Sequence, residues 1–513
     1  MRHFLRLEQP ELMKFIIRLH AEITIKSDSV RKRFGKVLVN NLKSILSRQQ
    51  LPVTVSWHWD RIDLTSTENT SELAAKISDE LQRIPGIAWF SRSHELPLTE
   101  QEGAADFAPI LEQVLACWQQ RLAGRSFAVR AKRKGQHSFS SQDLERYIGS
   151  GLLAHVPDAR VNLRRPDTEV RIEVDRQIIR VFEDKQPGLG GFPLPTQETV
   201  LSLLSGGFDS SVASFQLLRR GARTHFCFFN LGGAQHETGV QQTAYYLWRQ
   251  YASSHPLKFI SIDFAPVVEE ILERVDNGLM GVVLKRQMLR AAEIVADRLN
   301  TAAIVTGEAL GQVSSQTLSN LSVIDEATRK LVLRPLIVMD KQDIINIAQQ
   351  IGTADIARSM PEYCGVISVK PTVKADRGAI AAAEAELDPA LIEQQVSAAN
   401  VLDVRDIGEA AAARVESVAT ISEVGKNMTV LDIRANDVQE LSPLCAEQLG
   451  APVTHIPFFR LASKFAELDP DTTYLLYCDK GVMSQIQALY LQEQGFSNVA
   501  VFSPQTKQHQ KDL

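Results

Sequence analysis

Two short segments carry residue types whose spacing suits chemistry. Ser205-Gly206-Gly207-Phe208-Asp209-Ser210 lies between an apolar run, Leu201–Leu204, and a helical pattern, DSSVASFQLLRRG. Glycines in such a turn let backbone N–H groups approach phosphate oxygens, and a helix N-terminus favours negative charge. The hydroxyls of Ser205, Ser210 and Ser211 add donors, and Asp209 is placed to help hold Mg2+. The loop has neither the Gly-Lys-Ser/Thr of a Walker loop nor the GxGxxG of a dinucleotide fold. The second segment, Cys478-Asp479-Lys480-Gly481-Val482-Met483-Ser484, follows the strand-like TYLLYC and precedes the helical QIQALYLQEQG. A sulfur there faces backbone amides and a helix start, which stabilise an anion without a metal. A phosphatase loop also begins with Cys but needs Arg six residues on, where Ser484 stands. The remaining alternative is a buried small thiol with no chemistry.

The chain that must position these loops has 513 residues, too many for one core and enough for three or four domains. With 44% hydrophobic and 23% charged residues it reads as globular, which excludes a disordered or fibrous chain. No apolar run approaches the ~20 residues of a membrane span, and the N-terminus has no signal-peptide core, so no membrane is expected. Five cysteines (Cys117, Cys227, Cys364, Cys445, Cys478) are scattered without CxxC spacing, which argues against a zinc cluster or disulfide framework. Reduced thiols fit a cytoplasmic protein. The net charge of -5 averages opposite regions: residues 1–50 hold eleven Lys/Arg against four Asp/Glu, and residues 121–165 hold ten against three. Residues 373–427 hold ten acidic residues against five basic ones. A basic front on an acidic chain suits a polyanionic partner, or else a solvated basic face.

Periodicity supplies the scaffold. MKFIIRLH reads as a strand, followed by a helix from Ser29 with Phe34, Leu38, Leu42 and Ile45 on one face. VTVSWHW and RIDLTS are strands, Leu73–Ile84 a helix and GIAWF a strand, giving the βαββαβ order of a ferredoxin-like unit. A second α+β unit over about 97–184 has helices at Ile110–Leu122 and Leu144–His155, and β runs SFAVRAKR and EVRIEVDRQIIRVFED. The Gly/Pro-dense KQPGLGGFPLP at 185–195 marks a boundary. From Thr199 apolar strands TVLSLL, THFCFFNL, KFISIDF and AAIVTG alternate with helices, predicting a doubly wound parallel sheet that ends near Ile367. Thr306–Gln316 follows a strand's C-terminal end, where open α/β sheets place ligands. Residues 373–425 are expected to be a helical acidic linker, and 426–505 a small α/β domain. Within that linker VLDVR at 401–405 imitates VLDIR at 430–434, which reads as coincidence.

SGGFDS in this setting resembles the loop of the ATP pyrophosphatase (PP-loop) family. The Cys478 loop resembles that of rhodaneses, where cysteine carries a persulfide, with Val430-Leu431-Asp432-Ile433-Arg434 and His455-Ile456-Pro457 as companions. Together with the basic front and Met360-Pro361-Glu362-Tyr363-Cys364-Gly365, these closely resemble the tRNA 4-thiouridine synthase (tRNA uracil 4-sulfurtransferase) family in its long form, over essentially the whole chain. One departure is the leader before Met13, upstream of the first recognisable strand.

The resemblance implies a ferredoxin-like domain at 13–95, an RNA-binding THUMP domain at 73–184, a PP-loop domain at 196–372, the linker at 373–425 and a rhodanese-like domain at 426–505. It implies ATP with Mg2+, held by Leu203, Leu204, Lys285, Gly307 and Gln316 alongside Ser205, Gly206, Gly207, Phe208, Asp209 and Ser210. Cys478 becomes the persulfide carrier and Cys364 its redox partner, the two forming a disulfide during turnover. Arg130, Lys132, Arg133, Lys134, Arg164 and Arg165, with Phe139 nearby, fall in the THUMP-like region and suit phosphate binding and base stacking. The implied partners are tRNA, modified at the uridine at position 8, a cysteine desulfurase as sulfur donor, and the thiazole-forming sulfur carrier of thiamine biosynthesis. Three rivals stay open. Another PP-loop RNA enzyme leaves the rhodanese unit unexplained, a persulfide relay for thiamine alone leaves the basic front unexplained, and a non-catalytic RNA-binding protein does not need SGGFDS.

Overall fold

The computed structural model describes residues 12–503, except 60, 102–103, 232, 359–370, 414–418, 435–438, 440–441, 458–460, 462–463, 479–483, 485–486, 489–490 and 493. Two compact units make up the chain. One runs to Thr196 and includes Arg219–Gly221; the other holds Gln197–Leu218 and everything from Ala222 onward.

In the first unit, β1 (Met13–Leu19) buries Met13, Phe15, Ile17 and Leu19 on the face that meets α1 (Asp28–Arg48). Phe34, Leu38, Leu42 and Ile45 recur at helical spacing in α1 and all fall in that core. β2 (Thr54–Trp57), β3 (Ile62–Ser66), α2 (Ser71–Gln82) and β4 (Ile87–Pro97) complete the expected βαββαβ order. The Thr70 side chain caps α2 by accepting from Leu73 N at 3.2 Å. β4 is eleven residues long, and this length joins two domains. Its first half pairs with β1 and its second half with β8 (Ile178–Phe182), both antiparallel.

Between them lie α3 (Ala108–Leu122), β5 (Ser126–Lys134), α4 (Ser141–His155), β6 (Arg160–Val161) and β7 (Thr168–Asp175). The result is one nine-stranded sheet, ordered β2-β3-β1-β4-β8-β7-β5-β6, with Gln186–Pro187 beside β4. An ion-pair ladder crosses the shared strands: Arg61–Asp63 (2.8 Å), Asp63–Lys14 (3.2 Å), Lys14–Glu95 (2.7 Å) and Glu95–Arg180 (2.6 Å). The two front domains therefore share a strand.

The second unit holds two sheets. The larger contains β9 (Gln197–Leu203), β10 (Ala222–Asn230), β11 (Lys258–Asp263), β12 (Ala303–Val305), β13 (Leu331–Leu333) and β14 (Asn400–Asp403), ordered β13-β12-β9-β10-β11-β14. All pairs are parallel except β14 with β11. Helices α5 (Phe208–Arg219), α6 (Gly233–Leu247), α7 (Met280–Arg298), α8 (Leu318–Asp325), α9 (Lys341–Gln350) and α10 (Ala354–Arg358) connect or flank these strands.

Here the structure corrects one expectation. The segment 373–425 is not a free helical linker. α11 (Arg377–Ala385) and α12 (Leu391–Ser397) bury Ile380, Ile392 and Val396 in the same core as α7, and β14 closes the sheet edge, so this layer continues to Asp403 rather than ending near Ile367. Part of the segment's acidity pairs inward: Glu384 meets Arg286 at 2.9 Å and Arg290 at 2.6 Å. VLDVR spans the end of β14 and the first residues of the helix that follows. α13 (Val404–Ala413) then leads to the smaller sheet, β15 (Thr420–Ile421), β16 (Met428–Asp432), β17 (Val453–His455), β18 (Thr473–Tyr477) and β19 (Val499–Phe502), ordered β15-β19-β18-β16-β17 and parallel throughout.

Candidate functional site

Ser205–Gly207 connects β9 to α5 at the C-terminal edge of the larger sheet. Leu203 ends the strand and Leu204 N is fixed to Cys227 O at 2.8 Å. Gly206 has φ +82°, a left-handed turn that a side chain would strain. The loop is held from within: Ser210 Oγ accepts from Ser205 N (3.1 Å), lies 3.0 Å from Ser205 Oγ and donates to Gly207 O (3.3 Å). Gly307 approaches from β12. A Cβ there would sit 2.6 Å from Asp209 C and 2.7 Å from Ser210 N, so only glycine lets the two loops close.

Around this junction the charges are arranged in two groups. Lys341, the first residue of α9, places its ammonium 2.8 Å from Asp209 Oδ1 and 3.0 Å from Oδ2, and Gln312 Nε2 donates to Asp209 Oδ2 at 2.9 Å. Lys341 also sits 5.7 Å above the Phe208 ring. Deeper in, Glu308 accepts from Lys285 (2.7 Å), Arg334 (2.8 Å) and the Thr306 hydroxyl (3.1 Å). Burial pushes the Glu308 carboxyl up, but Lys285 and Arg334 outweigh it and hold the group below its ordinary range. Gln316, in a 3-10 turn, is buried, and its Oε1 has no hydrogen-bond partner among the described residues. Leu203–Ser210 and Gly307 thus meet at one edge of one sheet, Lys285 of α7 reaches Glu308 beside it, and Gln316 lies in the turn that follows.

Cys478 follows β18 in the smaller sheet, so the second predicted centre stands on a separate scaffold. Ser484 N donates to its sulfur at 3.3 Å, and Ser484 Oγ lies 3.4 Å away. The residue that replaces a phosphatase arginine is therefore a buried cradle for the thiol. Asp432 and Arg434 form a buried fork of 2.9 and 2.7 Å at the end of β16. Arg434 also donates to Ser442 O and lies 5.2 Å over the Tyr477 ring, while His455 Nε2 meets Arg434 O at 2.9 Å. The VLDIR and His-Ile-Pro companions thus brace the strand ends beside Cys478. Cys364 lies outside the described residues.

The basic candidates sort by strand alternation. Lys132 and Lys134 project exposed from β5, whereas Arg133 packs 5.4 Å over Phe139. Arg130 donates to Leu163 O at 2.6 Å and so braces the 162–165 turn. Asn162 Oδ1 accepts from Arg164 N and Arg165 N, and both arginines are exposed there. Lys132, Lys134, Arg164 and Arg165 pair with no carboxylate among the described residues.

The sequence matches four known families: thiamine biosynthesis protein (ThiI) over residues 195–388, the ThiI ferredoxin-like domain over 14–91, the THUMP domain over 104–183 and the rhodanese-like domain over 386–503. A tRNA sulfurtransferase from Shewanella loihica is 51% identical over 494 residues, covering 96% of this chain and 100% of that protein. The chain belongs to the tRNA sulfurtransferase family. A second member, from Yersinia pestis, is 52% identical over 493 residues with the same coverage. Among solved structures, a 4-thiouridine synthetase–RNA complex with bound ATP matches with a TM-score of 0.67 and 26% identity, over 77% of this chain and 100% of that one.

Sequence reading does not assign Lys341 and Arg334, and it marks Gln312 only as part of the Thr306–Gln316 segment. Lys341 reaches Asp209 across 132 positions and Gln312 across 103, while Arg334 reaches Glu308 across 26. The one signal is position: Lys341 opens a helix directly after the turn that follows β13. No helix among the described residues is long and apolar enough to cross a membrane.

Proposed function

We propose that this sulfurtransferase activates the C4 oxygen of a tRNA uridine, at position 8, with ATP and replaces it with sulfur from a persulfide on Cys478, giving 4-thiouridine. The observation that carries the reading is the pairing, in one chain, of a preorganised Ser205–Ser210 loop closed by Gly307 with a cysteine whose sulfur is cradled by Ser484.

The residues fit the nucleotide. The loop is open on the side of Gly207, where an added Cβ would meet nothing nearer than Ser205 Oγ at 3.7 Å. The buried Gln316 Oε1 awaits a donor such as an adenine amine. A single carboxylate, Asp209, suits Mg2+ that arrives with phosphates rather than a cage made by protein alone. When bound, ATP supplies the leaving group, since AMP on the C4 oxygen departs where oxide would not. Ser205, Ser210 and the loop amides hold phosphate, and Lys341 is placed to exchange Asp209 for phosphate oxygens. Lys285 and Arg334 keep Glu308 ionised and the Thr306–Gly307 turn in place.

The Cys478 persulfide sulfur then bonds to C4 as the C4–O bond to AMP breaks. Cys364 attacks Cys478 Sγ, the thiouridine leaves as its thiolate, and the two cysteines end as a disulfide that an external dithiol reduces. A cysteine desulfurase reloads Cys478. The match to a thiamine biosynthesis family favours a second use of the same persulfide, transfer to the adenylated C-terminus of a thiazole-forming sulfur carrier. Mass spectrometry of tRNA nucleosides from a strain lacking this chain tests the main reading. Loss of 4-thiouridine, restored by the wild-type gene, is expected; its persistence would refute the assignment.

A further inference from the structure

The rhodanese-like domain is not merely tethered behind the larger sheet; its core is completed by residues from it. Ile356 of α10 is 2% exposed and packs with Leu431, Ile433, Leu461 and Phe465 of the C-terminal domain, and Tyr246 of α6 packs against the same cluster. The Tyr246 hydroxyl fills the space a Cβ on Gly352 would take. One turn earlier on α6, Gln242 accepts a hydrogen bond from Gln487 Nε2 at 3.3 Å, and these two amides are 7% and 4% exposed. A buried amide pair is specific in a way an apolar contact is not, because either partner alone would be left unsatisfied.

The contact also has a direction. Gln487 is three residues from Ser484, which holds the Cys478 sulfur, and both residues are helical. The residue that meets α6 therefore lies one helical turn from the one that holds the Cys478 sulfur. On the other side, His236 of α6 lies 3.4 Å from Ser205 O of the phosphate loop. His236 and Gln242 are six positions apart, about 9 Å along a helix. α10 is anchored to the helix that follows this loop, since the preceding Thr353 accepts from Ser211 Oγ of α5 at 3.3 Å.

We propose that α6 and α10 form a delivery seat for the chain's own rhodanese-like domain, with Gln242–Gln487 and Ile356 holding against α6 the side of that domain on which Ser484 supports Cys478. This rests on the sulfur-transfer reading above and adds where the donor domain sits when sulfur passes to tRNA. Sulfur is handed over from the seated domain, not from one swinging free.

The test uses full-length protein and separates three readouts: persulfide loading of Cys478 by a cysteine desulfurase, AMP formation with tRNA, and single-turnover transfer from the loaded persulfide. Ile356→Arg and Gln487→Glu should keep loading and AMP formation within about twofold while transfer falls at least tenfold. Gln242→Lys should do the same alone, and Gln242→Lys with Gln487→Glu should recover transfer to within about threefold. A folding defect would lower all three readouts and would not be rescued by the second substitution. Single variants that transfer at the wild-type rate, or a double variant no better than its singles, would overturn the seat. Failure of the underlying reading shows differently, as wild-type protein that forms no AMP with tRNA.

Discussion

Lys341 grips both carboxylate oxygens of Asp209, at 2.8 and 3.0 Å, across 132 positions of sequence. The pair spans the mouth of the phosphate loop, and Gln312 adds a third contact at 2.9 Å. Neither oxygen is idle, so cation or phosphate binding must exchange one partner for another. Asp209→Ala should abolish AMP formation while leaving persulfide loading of Cys478 intact, because Cys478 belongs to a different sheet. The check is AMP release alongside persulfide mass on the same preparation. Near wild-type tRNA thiolation by the variant would remove this loop from the activation step.

Gly307 allows a sharper steric test. A single methyl there would lie 2.6 Å from the Asp209 carbonyl carbon and 2.7 Å from Ser210 N, so backbone must move. Gly307→Ala should therefore weaken ATP binding at least tenfold by displacing the start of α5. Stability should fall only by the order of an overpacked contact, about 1–3 kcal/mol. Isothermal titration with ATP and a thermal melt together decide it; unchanged affinity would mean the two loops do not share a ligand.

Why some of this is readable from sequence, and some not, follows from the length scale of each signal. The βαββαβ front announces itself through Phe34, Leu38, Leu42 and Ile45, whose spacing is local and whose burial is complete or nearly so. The phosphate loop is six contiguous residues, and its Gly206 is required by backbone geometry. The edge strand Asn400–Asp403 escapes because it is short, exposed or half-exposed throughout, and paired on only one side. An Ala/Glu-rich stretch reads as solvated helix unless its partners are known, and Arg286 and Arg290 lie more than ninety positions from Glu384. The same holds for Lys341, whose role exists only once α9 is packed beside α5.

For RNA, the structure divides a basic run that looks uniform in sequence. Replacing Lys132, Arg133 and Lys134 together should weaken tRNA binding and flatten its dependence on salt, by about 0.7–0.9 in log–log slope for each phosphate that is no longer neutralised. Lys132→Ala with Lys134→Ala should produce that effect with no loss of stability. Arg133→Ala should in addition loosen the Phe107–Phe139–His137 cluster against which its guanidinium packs. Filter binding across a salt series, with a melt of each variant, tests the division. An unchanged slope in the lysine pair would move the RNA surface elsewhere.

A pH prediction comes from Glu183, at the end of the shared sheet. Burial pushes its carboxyl up, but the hydrogen bond with His94 at 3.0 Å, with Arg121 at 2.9 Å and Arg92 at 3.6 Å, brings it from 4.5 down to about 2. A carboxylate with a depressed folded-state value stabilises fully above its unfolded value and loses that contribution as pH falls through the folded one. Wild type should therefore exceed Glu183→Gln in hydrogen-exchange protection of β8 near neutral pH. The gap should close between pH 4.5 and about 2. A gap that stays constant through that window would show that the contribution is steric.

The electron count of the transfer gives the last prediction. Persulfide sulfur is at a higher oxidation level than the sulfur of 4-thiouridine, so delivery takes two electrons, which Cys478 and a second thiol supply together by ending as a disulfide. Among the five cysteines, Cys227 is fully buried and its thiol is pushed far above the ordinary range by burial, which leaves it inert. Cys364, the family-matched partner, is the proposed second thiol, joined to Cys478 as a disulfide after each turnover. Such a bond needs Cα atoms about 4.4–6.8 Å apart. Cys478→Ala should stop both tRNA thiolation and sulfur transfer to the thiazole carrier. Cys364→Ala should load persulfide on Cys478 normally and serve the carrier, yet fail to turn over on tRNA. In the wild type, omitting the dithiol should limit the yield to about one 4-thiouridine per enzyme, with the Cys364–Cys478 peptide pair found by non-reducing mass spectrometry. Multiple turnovers by Cys364→Ala, or a wild type indifferent to the dithiol, would place the second thiol outside this chain.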